Sequence, residues 1–448
     1  MSGLIAHWSL DNDARDSAGA HHGKPTDVRF TTIDGRLAAL FNGLRSEIAV
    51  PDSPALRLSS PQWTIALDVN CPSPMRGVYG DILSKFDPDS RCGVNLYCAG
   101  SAGAYCGMGD SRHIHFGIDD GYVGGIVDCG RPHPANSLAT GLTTYKGQLF
   151  CGIADAKKPA DRAGVYKYLG GRRWARCGSL GPSDGSVRSV YGMIVHNDEL
   201  YAATGTWDWK KCYDEAIKTG APHVFRYRND NDWEDLGAPA PNATRVLTMT
   251  SYDGHLHVGV DKIGGGSCYL LDGNVWTDLG PLSQGDHCEC LFAFGGDLYG
   301  ATHTGVYRRS HDGRWINLCE GVLNMSQIHS LMAYQGRLTC GTWPQGFVIQ
   351  QASDGSWNSI GRLGLPLGIT GEYQCNEVMD MIAYNGKLYA GVIPKAQLYR
   401  YESGDRWTLM GSIASRPDGA WESRNLDTWS RITSFAMHQG RQIGRAHV

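Results

Sequence analysis

The sequence predicts an all-β protein that is built from two different modules in tandem. Its 448 residues include 59 Gly, 21 Tyr and 13 Trp. Many glycines and aromatics with few helix-favouring runs are typical of short strands joined by tight turns. A glycine- and aromatic-rich phrase recurs along the C-terminal two thirds of the chain, whereas the N-terminal third lacks it. The length also suits two or three domains.

The recurring phrase has the form aromatic-x-Gly-x-Leu-aromatic, with some positions varied. Its copies lie at 145–150, 196–201, 252–257, 294–299, 334–338 and 384–389, and a seventh begins at 438–441. Each full copy is followed by a tryptophan with a glycine a few residues later. These pairs are Trp174/Gly178, Trp233/Gly237, Trp276/Gly280, Trp315/Gly321, Trp357/Gly361 and Trp407/Gly411. Such self-similarity at a roughly constant spacing indicates a repeat architecture.

The chemistry of one repeat predicts four antiparallel strands. The Asn-Gly and Gly-Gly pairs inside the phrase favour the positive φ angles of two-residue hairpin turns. A third short strand, such as residues 224–227, precedes the strand that carries the tryptophan. A four-stranded sheet of this kind is a propeller blade, which is stable only when it packs radially against others. The array resembles the kelch-type propeller family over residues 136–441, and six full repeats plus a clipped seventh imply seven blades.

The N-terminal module shows a different series of strand-like segments. Residues 5–11, 38–43, 46–51 and 63–69 resemble, in order and type, the laminin-G-like (concanavalin-type) jelly roll over residues 1–135. The alternation in 64–67 predicts a strand with one buried face. The resemblance implies binding of sugars or proteins, and sometimes a structural calcium ion for which Asp11, Asp13 and Asp16 could supply oxygens. Alternatively, these aspartates cap turns. The predicted fold is therefore a jelly-roll β-sandwich followed by a seven-bladed propeller whose last blade is truncated.

The last residues suggest a foreign tail. Residues 443–448 are what ATC GGA AGA GCA CAC GTC encodes, which is one frame of a common sequencing-adapter oligonucleotide. We therefore expect residues 442–448 to be an assembly artefact in a bacterial metagenomic fragment, with the natural sequence lost after about Arg441. The alternative is a genuine polar terminus. A full-length relative that continues differently after Arg441 would support the artefact.

Functional residues are expected in the loops that open on one face of the propeller, over its central channel. In a blade, the loop before the first strand and the loop between the second and third strands lie on that face, and such loops hold ligands. Asp261 and His287 belong to these loops as well. The candidate ligand-facing residues are Arg188, Trp207, Trp209, Arg245, His303, His329, Trp343, Tyr373, Glu377, Lys395 and Arg431. The alternative is that they are solvated loop and channel-lining residues.

Composition excludes some functions and leaves three open. A charged fraction of 19% and a net charge of −4 do not provide the basic stripe that a nucleic-acid partner needs. No apolar run has the length of a membrane span. The densest run of metal-ligand types, residues 286–290, places only two ligands on one strand face, whereas a zinc site needs three or four. No cofactor is expected apart from the calcium ion that the jelly roll implies.

Indole rings stack on sugars while arginine, histidine and carboxylates bond hydroxyl groups, so carbohydrate recognition at the channel mouth is the favoured hypothesis. A polysaccharide lyase or glycoside hydrolase acting on a plant or algal polysaccharide is the first alternative. A kelch-type protein-interaction scaffold is the second. The resemblance suggests an extracellular or cell-envelope location, although no signal peptide is visible and fourteen cysteines leave the compartment open.

Overall fold

The computed structural model is all-β. It describes residues 3–42, 45–59, 62–70, 80–87, 90, 92–98, 101–103, 106–107, 114–120, 126–133, 138–154, 156, 158–206, 222–262, 264–319, 327–364, 376–393, 395–412, 430–438 and 441–447. In these ranges the only helices are two short 3₁₀ turns, Pro54–Leu56 and Pro159–Asp161. No helix among the described residues is long and apolar enough to cross a membrane. The chain divides into two compact units, Met1–Ser73 and Pro74–Val448.

The first unit contains two small antiparallel sheets. Its strands are β1 (Lys24–Thr26), β2 (Arg29–Ile33), β3 (Arg36–Leu40) and β4 (Glu47–Ala49). Strand β1 pairs with β4, and β2 pairs with β3. The Asp16 carboxylate accepts hydrogen bonds from the backbone amides of His7, Ala18 and His21. These bonds give Asp16 the role of organising a turn, and they account for the lowering of its pKa to about 2 against the opposing effect of burial.

The prediction of a strand at residues 63–69, which lie in this unit, is wrong. Residues 62–70 pair with no strand among the described residues. Trp63, Ile65, Leu67 and Val69 are between 36% and 42% exposed. Alternating apolar residues bury a face only when a neighbouring sheet covers them, and nothing described here covers these four.

The second unit begins with a three-stranded sheet and a short hairpin. The sheet has the order β5–β6–β9, and the hairpin is formed by β7 and β8. Their bounds are β5 Gly80–Asp87, β6 Cys92–Cys98, β7 Ser101–Gly103, β8 Cys106–Gly107 and β9 Ile114–Asp120. These strands belong to the same compact unit as the repeats. The domain boundary predicted at residue 135 stays a prediction.

Among the described residues, six four-stranded antiparallel repeats and one hairpin follow, which we name R1 to R7 in chain order. R1 is β10 (Leu138–Tyr145), β11 (Gln148–Ala154), β12 (Gly164–Gly170) and β13 (Arg173–Ser179). R2 is β14 (Ser189–His196), β15 (Glu199–Gly205), β16 (Val224–Asn229) and β17 (Asp232–Asp235). R3 is β18 (Ala243–Tyr252), β19 (His255–Lys262), β20 (Gly265–Asp272) and β21 (Val275–Asp278).

The remaining repeats have the same order. R4 is β22 (Cys290–Phe294), β23 (Asp297–Ala301), β24 (Val306–Arg309) and β25 (Trp315–Asn317). R5 is β26 (Gln327–Tyr334), β27 (Arg337–Trp343), β28 (Phe347–Gln351) and β29 (Trp357–Arg362). R6 is β30 (Glu377–Tyr384), β31 (Lys387–Ile393), β32 (Gln397–Ser403) and β33 (Arg406–Ser412). R7 is β34 (Arg431–His438) and β35 (Arg441–His447), so β35 covers most of the predicted tail.

The predicted hairpin turns join the first and second strands of the repeats. In R6, Asn385 and Gly386 have φ values of 51° and 74°. Two consecutive positive φ angles define a type I′ turn, whose twist matches that of the flanking strands. The recurring phrase therefore marks the hairpin at the start of each repeat.

The first strands of consecutive repeats are neighbours, and the last neighbours the first. Between R7 and R1, Thr144 Oγ1 donates to Met437 O at 2.6 Å and Thr433 Oγ1 donates to Ala139 O at 3.0 Å. Single bridges, Ala154↔Ser189 and Gly205↔Arg245, also connect R1, R2 and R3 into one 12-stranded sheet. Radially packed antiparallel sheets around an axis are an arrangement of the β-propeller type.

A segment that precedes R1 takes the outermost position of R7. Trp233 in R2 donates its indole N–H to Cys177 O in R1, and Trp174 in R1 donates in the same way to Cys129 O. A Cβ at Gly361 in R5 would meet Trp407 in R6, and a Cβ at Gly411 in R6 would meet Ile126. Ile126 and Cys129 therefore stand where a fourth strand of R7 would stand, and they help to hold the ring closed.

The three-stranded sheet contacts the hairpin turn of R6. Tyr97 Oη accepts the Asn385 amide at 2.9 Å, Asn385 Nδ2 donates to Ile118 O at 2.9 Å, and Lys387 forms an ion pair with Asp119. Strand β7 pairs antiparallel with β26, with Gly103 opposite Ser330. The β7–β8 hairpin neighbours the first strands of six repeats, so it lies within their ring.

The late tryptophans of R2, R3, R5 and R6 bond their repeat to the preceding one. Indole N–H groups of Trp276, Trp357 and Trp407 donate to Leu236, Leu318 and Ile360 carbonyls at 2.9, 2.9 and 2.8 Å. In R4, by contrast, Trp315 Nε1 is buried and has no hydrogen-bond partner among the described atoms.

This contrast provides a matched pair of substitutions. We expect Trp407→Phe to lower the free energy of unfolding by about 1 kcal/mol more than Trp315→Phe, because only Trp407 loses a hydrogen bond. Urea unfolding followed by circular dichroism measures both values. Equal losses in the two variants would contradict this role of the indole N–H.

Candidate functional site

The candidate site lies at the end of the repeats where first strands begin and second strands end, which we call the mouth. Arg245 in β18 lies directly opposite Asp261 in β19. Gln327, Glu377 and Arg431 are the first residues of β26, β30 and β34. The mouth residues that precede β22 or follow β23 are Asp286, His287, Glu289 and His303.

β-Bulges occur in the first strands next to the mouth. The register of the first and second strands shifts in six of the seven described hairpins, R4 being the exception. In R5 the shift falls between Ile328 and Ser330, so His329 is the extra residue. In R6 it falls at Met379. Bulges commonly redirect a side chain next to a functional site.

One part of the mouth is a buried ion pair extended by a histidine. Arg245 Nε lies 2.6 Å from Asp261 Oδ2, with side chains 7% and 3% exposed. His287 Nδ1 lies 3.2 Å from the same oxygen. Burial alone would raise the pKa of Asp261, but Arg245 and His287 outweigh it and lower the pKa. In return, the hydrogen bond to Asp261 raises the pKa of His287.

The other part is a chain of alternating acids and bases. His303 Nε2 lies 2.9 Å from Glu289 Oε1 and its Nδ1 lies 3.6 Å from Asp286 Oδ1. His329 Nε2 lies 2.9 Å from Glu377 Oε1, while its Nδ1 lies 3.7 Å from Glu289 Oε2. Arg431 Nη1 follows at 3.8 Å from Glu377 Oε2. The chain thus runs Asp286–His303–Glu289–His329–Glu377–Arg431 across four repeats.

Electrostatics favour the charged forms of His329, Glu377 and Glu289 in this chain. Burial lowers the pKa of His329, but Glu377 and Glu289 outweigh it and the net shift is upward. Burial raises the pKa of Glu377, but His329 and Arg431 outweigh it and the net shift is downward. Glu289 is also shifted downward, because His303 and His329 outweigh the effect of its burial. The mouth therefore holds carboxylates and cations in close alternation.

The structure brings together five of the predicted ligand-facing residues in these two clusters: Arg245, His303, His329, Glu377 and Arg431. Trp343 ends β27 and packs against a buried apolar cluster of Tyr191, Leu247, Met379 and Ile393. Arg431 Nη1 lies 3.8 Å from Met379 Sδ, so this cluster adjoins the acid–base chain.

The remaining candidates are Arg188, Lys395, Trp207, Trp209 and Tyr373. The Arg188 amide donates to Gly205 O at 2.9 Å, just before β14. Lys395 lies in the turn after β31 with a φ of 65°. Trp207, Trp209 and Tyr373 lie outside the described residues.

Gln327 was not among the predicted site residues, and Asp286 and Glu289 were considered only as metal ligands. Gln327 Oε1 lies 2.6 Å from His329 Nε2, and its Nε2 lies 3.0 Å from His303 Nε2. The described residues contain no group of three or more His, Cys, Asp or Glu side chains that could hold a metal ion. The acidic residues of the mouth bond histidines and arginines instead.

Comparison with known proteins gives only distant likenesses. No family model matches the chain, and no curated protein matches it. Among solved structures, the extracellular domain assigned to a one component system of B. thetaiotaomicron is 16% identical, with a TM-score of 0.49. The match covers 70% of this chain and 37% of that one, so the chain corresponds to little more than a third of that domain.

Two other solved structures are similar over most of their length. A catalytically inactive virginiamycin B lyase from Staphylococcus aureus with quinupristin is 10% identical, covering 70% of this chain and 96% of that one at a TM-score of 0.45. A chain of the mitotic checkpoint complex is 12% identical, covering 72% of this chain and 95% of that one at a TM-score of 0.43.

Proposed function

We propose that this chain recognises a glycan at the mouth of a seven-bladed, kelch-like propeller whose last blade is truncated, preceded by a laminin-G-like jelly roll. The observation that carries the proposal is the convergence of Arg245, His303, His329, Glu377 and Arg431 at the mouth. Carboxylates, imidazoles and guanidinium groups offer donors and acceptors side by side, which suits the hydroxyl groups of a sugar.

Recognition is favoured over catalysis by the accessible histidine. Among the ion-paired mouth side chains His303 is the most exposed, at 27%, yet both of its ring nitrogens face carboxylates. A general base needs a nitrogen lone pair directed at the substrate. An imidazole with both nitrogens engaged by protein side chains has no lone pair free for that role.

Binding to a panel of plant and algal polysaccharides tests the proposal. We expect the protein to bind at least one of them, and His303→Ala or Arg431→Ala to weaken that binding about tenfold, as loss of a charged hydrogen bond does. Affinity electrophoresis provides the measurement. His311→Ala and Arg314→Ala are matched controls, since both residues lie in the exposed turn that joins β24 and β25.

The outcomes separate the three hypotheses. Binding that survives both mouth substitutions contradicts this site. Unsaturated products released from a uronate polysaccharide would identify a lyase instead. Absence of binding to the whole panel would contradict glycan recognition and leave the protein-scaffold hypothesis.

A further inference from the structure

Among the described residues, R5 is the one repeat whose first strand also pairs with a strand from outside the repeats. Strand β7 pairs antiparallel with β26, so the sheet of R5 has the order β29–β28–β27–β26–β7–β8. Strand β26 therefore has a partner on both edges, β27 on one and β7 on the other. The β7–β8 hairpin thus adds two strands to the edge of R5 that lies nearest the axis.

This pairing begins directly beside the β-bulge of R5. Residues 101–103 lie opposite residues 330–332 in reverse order, with Gly103 opposite Ser330. On the other edge of β26, the register with β27 shifts at His329, the residue just before Ser330. A bulged residue is left out of its ladder, and the strand bends there. Strand β7 therefore supplies backbone pairing to the residues that immediately follow the bulge.

His329 is the member of the acid–base chain that connects three repeats. Its Nε2 lies 2.6 Å from Gln327 Oε1 in R5 and 2.9 Å from Glu377 Oε1 in R6. Its Nδ1 lies 3.7 Å from Glu289 Oε2, just ahead of R4, and Arg431 Nη1 lies 3.8 Å from Glu377 Oε2. A side chain that is 9% exposed has little room to adjust. A shift of its backbone would therefore separate it from these partners, because hydrogen bonds weaken steeply with distance and angle.

The hairpin is tied to the end of the ring opposite the mouth. Two residues, 99 and 100, separate β7 from β6, whose sheet contacts the hairpin turn of R6. There Tyr97 Oη accepts the Asn385 amide, and Asn385 Nδ2 donates to Ile118 O. That turn joins the end of β30 to the start of β31, so it lies at the far end of the repeat from the mouth. The three-stranded sheet therefore holds β7 to the ring independently of its pairing with β26.

We propose that the β7–β8 hairpin is a positioning element of the mouth, which fixes the backbone of β26 after the bulge and thereby holds the His329 imidazole in the acid–base chain. The inference rests on the proposed glycan recognition for its role in binding, since it names what keeps that site in shape. The hairpin acts through His329 and not by touching the ligand.

A pair of prolines in β7 provides the first test. Proline lacks a backbone N–H, and the N–H groups of successive strand residues point to opposite edges, so Ala102→Pro combined with Gly103→Pro removes one donor that faces β26. Nuclear magnetic resonance gives the titration midpoint of His329, once its signal is assigned with His329→Gln. We expect the midpoint to fall towards that of an ordinary histidine, because Glu377 and Glu289 raise the pKa of His329 only while they lie beside it.

Thr408→Pro combined with Leu409→Pro is the matched control. Both residues are exposed in β33, the outermost strand of R6, where prolines disrupt a ladder without reaching the axis. The control should lose stability and keep the His329 midpoint of the wild type. An unchanged midpoint in the β7 variant overturns the inference, whatever the result of glycan binding.

Polysaccharide binding by the same variants separates this inference from the proposed function. Where the wild type binds a polysaccharide, the β7 variant should bind it at least about tenfold more weakly, and the β33 control should bind it normally. A lowered midpoint in a protein that binds no polysaccharide contradicts glycan recognition and leaves the positioning of His329 intact. Undiminished binding despite a lowered midpoint removes the role of the hairpin in binding.

Hydrogen exchange of the wild type decides the matter if the β7 variant does not fold. The backbone amides of residues 330–332 face β27 and β7 in turn, so all of them should exchange slowly. Fast exchange of any of these amides would show that β7 does not hold β26, and it would overturn the inference.

Discussion

Gly341→Val is expected to destabilise the protein by about 3 kcal/mol, at the upper end of the cost of overpacking a core. A Cβ at Gly341 would lie 2.5 Å from Val378 Cγ1 and 2.7 Å from Val378 O. Val378 belongs to the first strand of the next repeat, and its backbone oxygen cannot move without shifting that strand. Chemical denaturation followed by tryptophan fluorescence gives the change in unfolding free energy.

Asn358→Val is the matched control for Gly341→Val. Asn358 is exposed in the fourth strand of the same repeat, where valine has high β-propensity and its side chain extends into solvent. The control should change stability by less than about 0.5 kcal/mol. Comparable losses in the two variants would show that close approach of the strands does not limit this position.

The residues at the equivalent position of the other repeats are also small, which is why the destabilisation by Gly341→Val should be large. It is occupied by a small residue in each of R1 to R6: Gly152, Ala203, Gly259, Ala301, Gly341 and Gly391. In R7 the corresponding residue is Arg445, opposite Ser434. Arg445 lies in the predicted adapter-derived tail.

The repeat pattern was predictable because it is local. A two-residue turn needs positive φ angles, and its flanking strands need apolar residues, so the phrase at 384–389 specifies a hairpin without reference to other repeats. The late tryptophans were equally predictable from the sequence, since each recurs at a similar place after the turn phrase. Their carbonyl partners, such as Ile360 for Trp407, belong to another repeat and cannot be inferred from spacing.

The site was predictable only as a set of loops. Placing Arg245, His303, His329, Glu377 and Arg431 on one face required only the strand order of a blade. Their bonding required the bulge at His329, which depends on the register between two strands. Such a shift leaves no mark in hydrophobic periodicity, and for that reason the partnership of His329 with Glu289 was missed.

The second large effect is expected at the buried ion pair of the mouth. Asp261→Ala should destabilise the protein by about 3–5 kcal/mol, because it leaves the Arg245 guanidinium buried without its carboxylate. The Asp261 carboxylate also accepts the Cys288 amide at 3.3 Å and contacts His287 at 3.2 Å. Thermal and denaturant unfolding measure the loss.

An exposed pair of the same residue types provides the control. Asp312 and Arg314 form an ion pair at 2.7 Å with side chains 53% and 79% exposed. Because water screens such pairs, Asp312→Ala should cost less than about 1 kcal/mol. If Asp261→Ala proves no more harmful than Asp312→Ala, the mouth pair contributes nothing beyond a surface contact.

The pH dependence of stability distinguishes this ion pair from simple packing. The folded pKa of Asp261 is below its unfolded value of about 3.9, so its contribution is present at neutral pH and disappears as the pH falls through the folded pKa. The folded pKa of His287 is above its unfolded value of about 6.5. Its contribution is therefore complete below the unfolded value and disappears as the pH rises through the folded one.

Both contributions depend on the Asp261 carboxylate. Its own pKa is lowered by pairing with Arg245, and its negative charge raises the pKa of His287. Asp261→Ala should therefore flatten the stability profile on its acidic and alkaline sides together, whereas a cavity formed by loss of packing lowers stability equally at all pH values. The buried ion pair of the mouth would thus be a stabilising element of the ring. If Asp261→Ala lowers the free energy of unfolding by the same amount at all pH values, the ion pair is not the source of the lost stability.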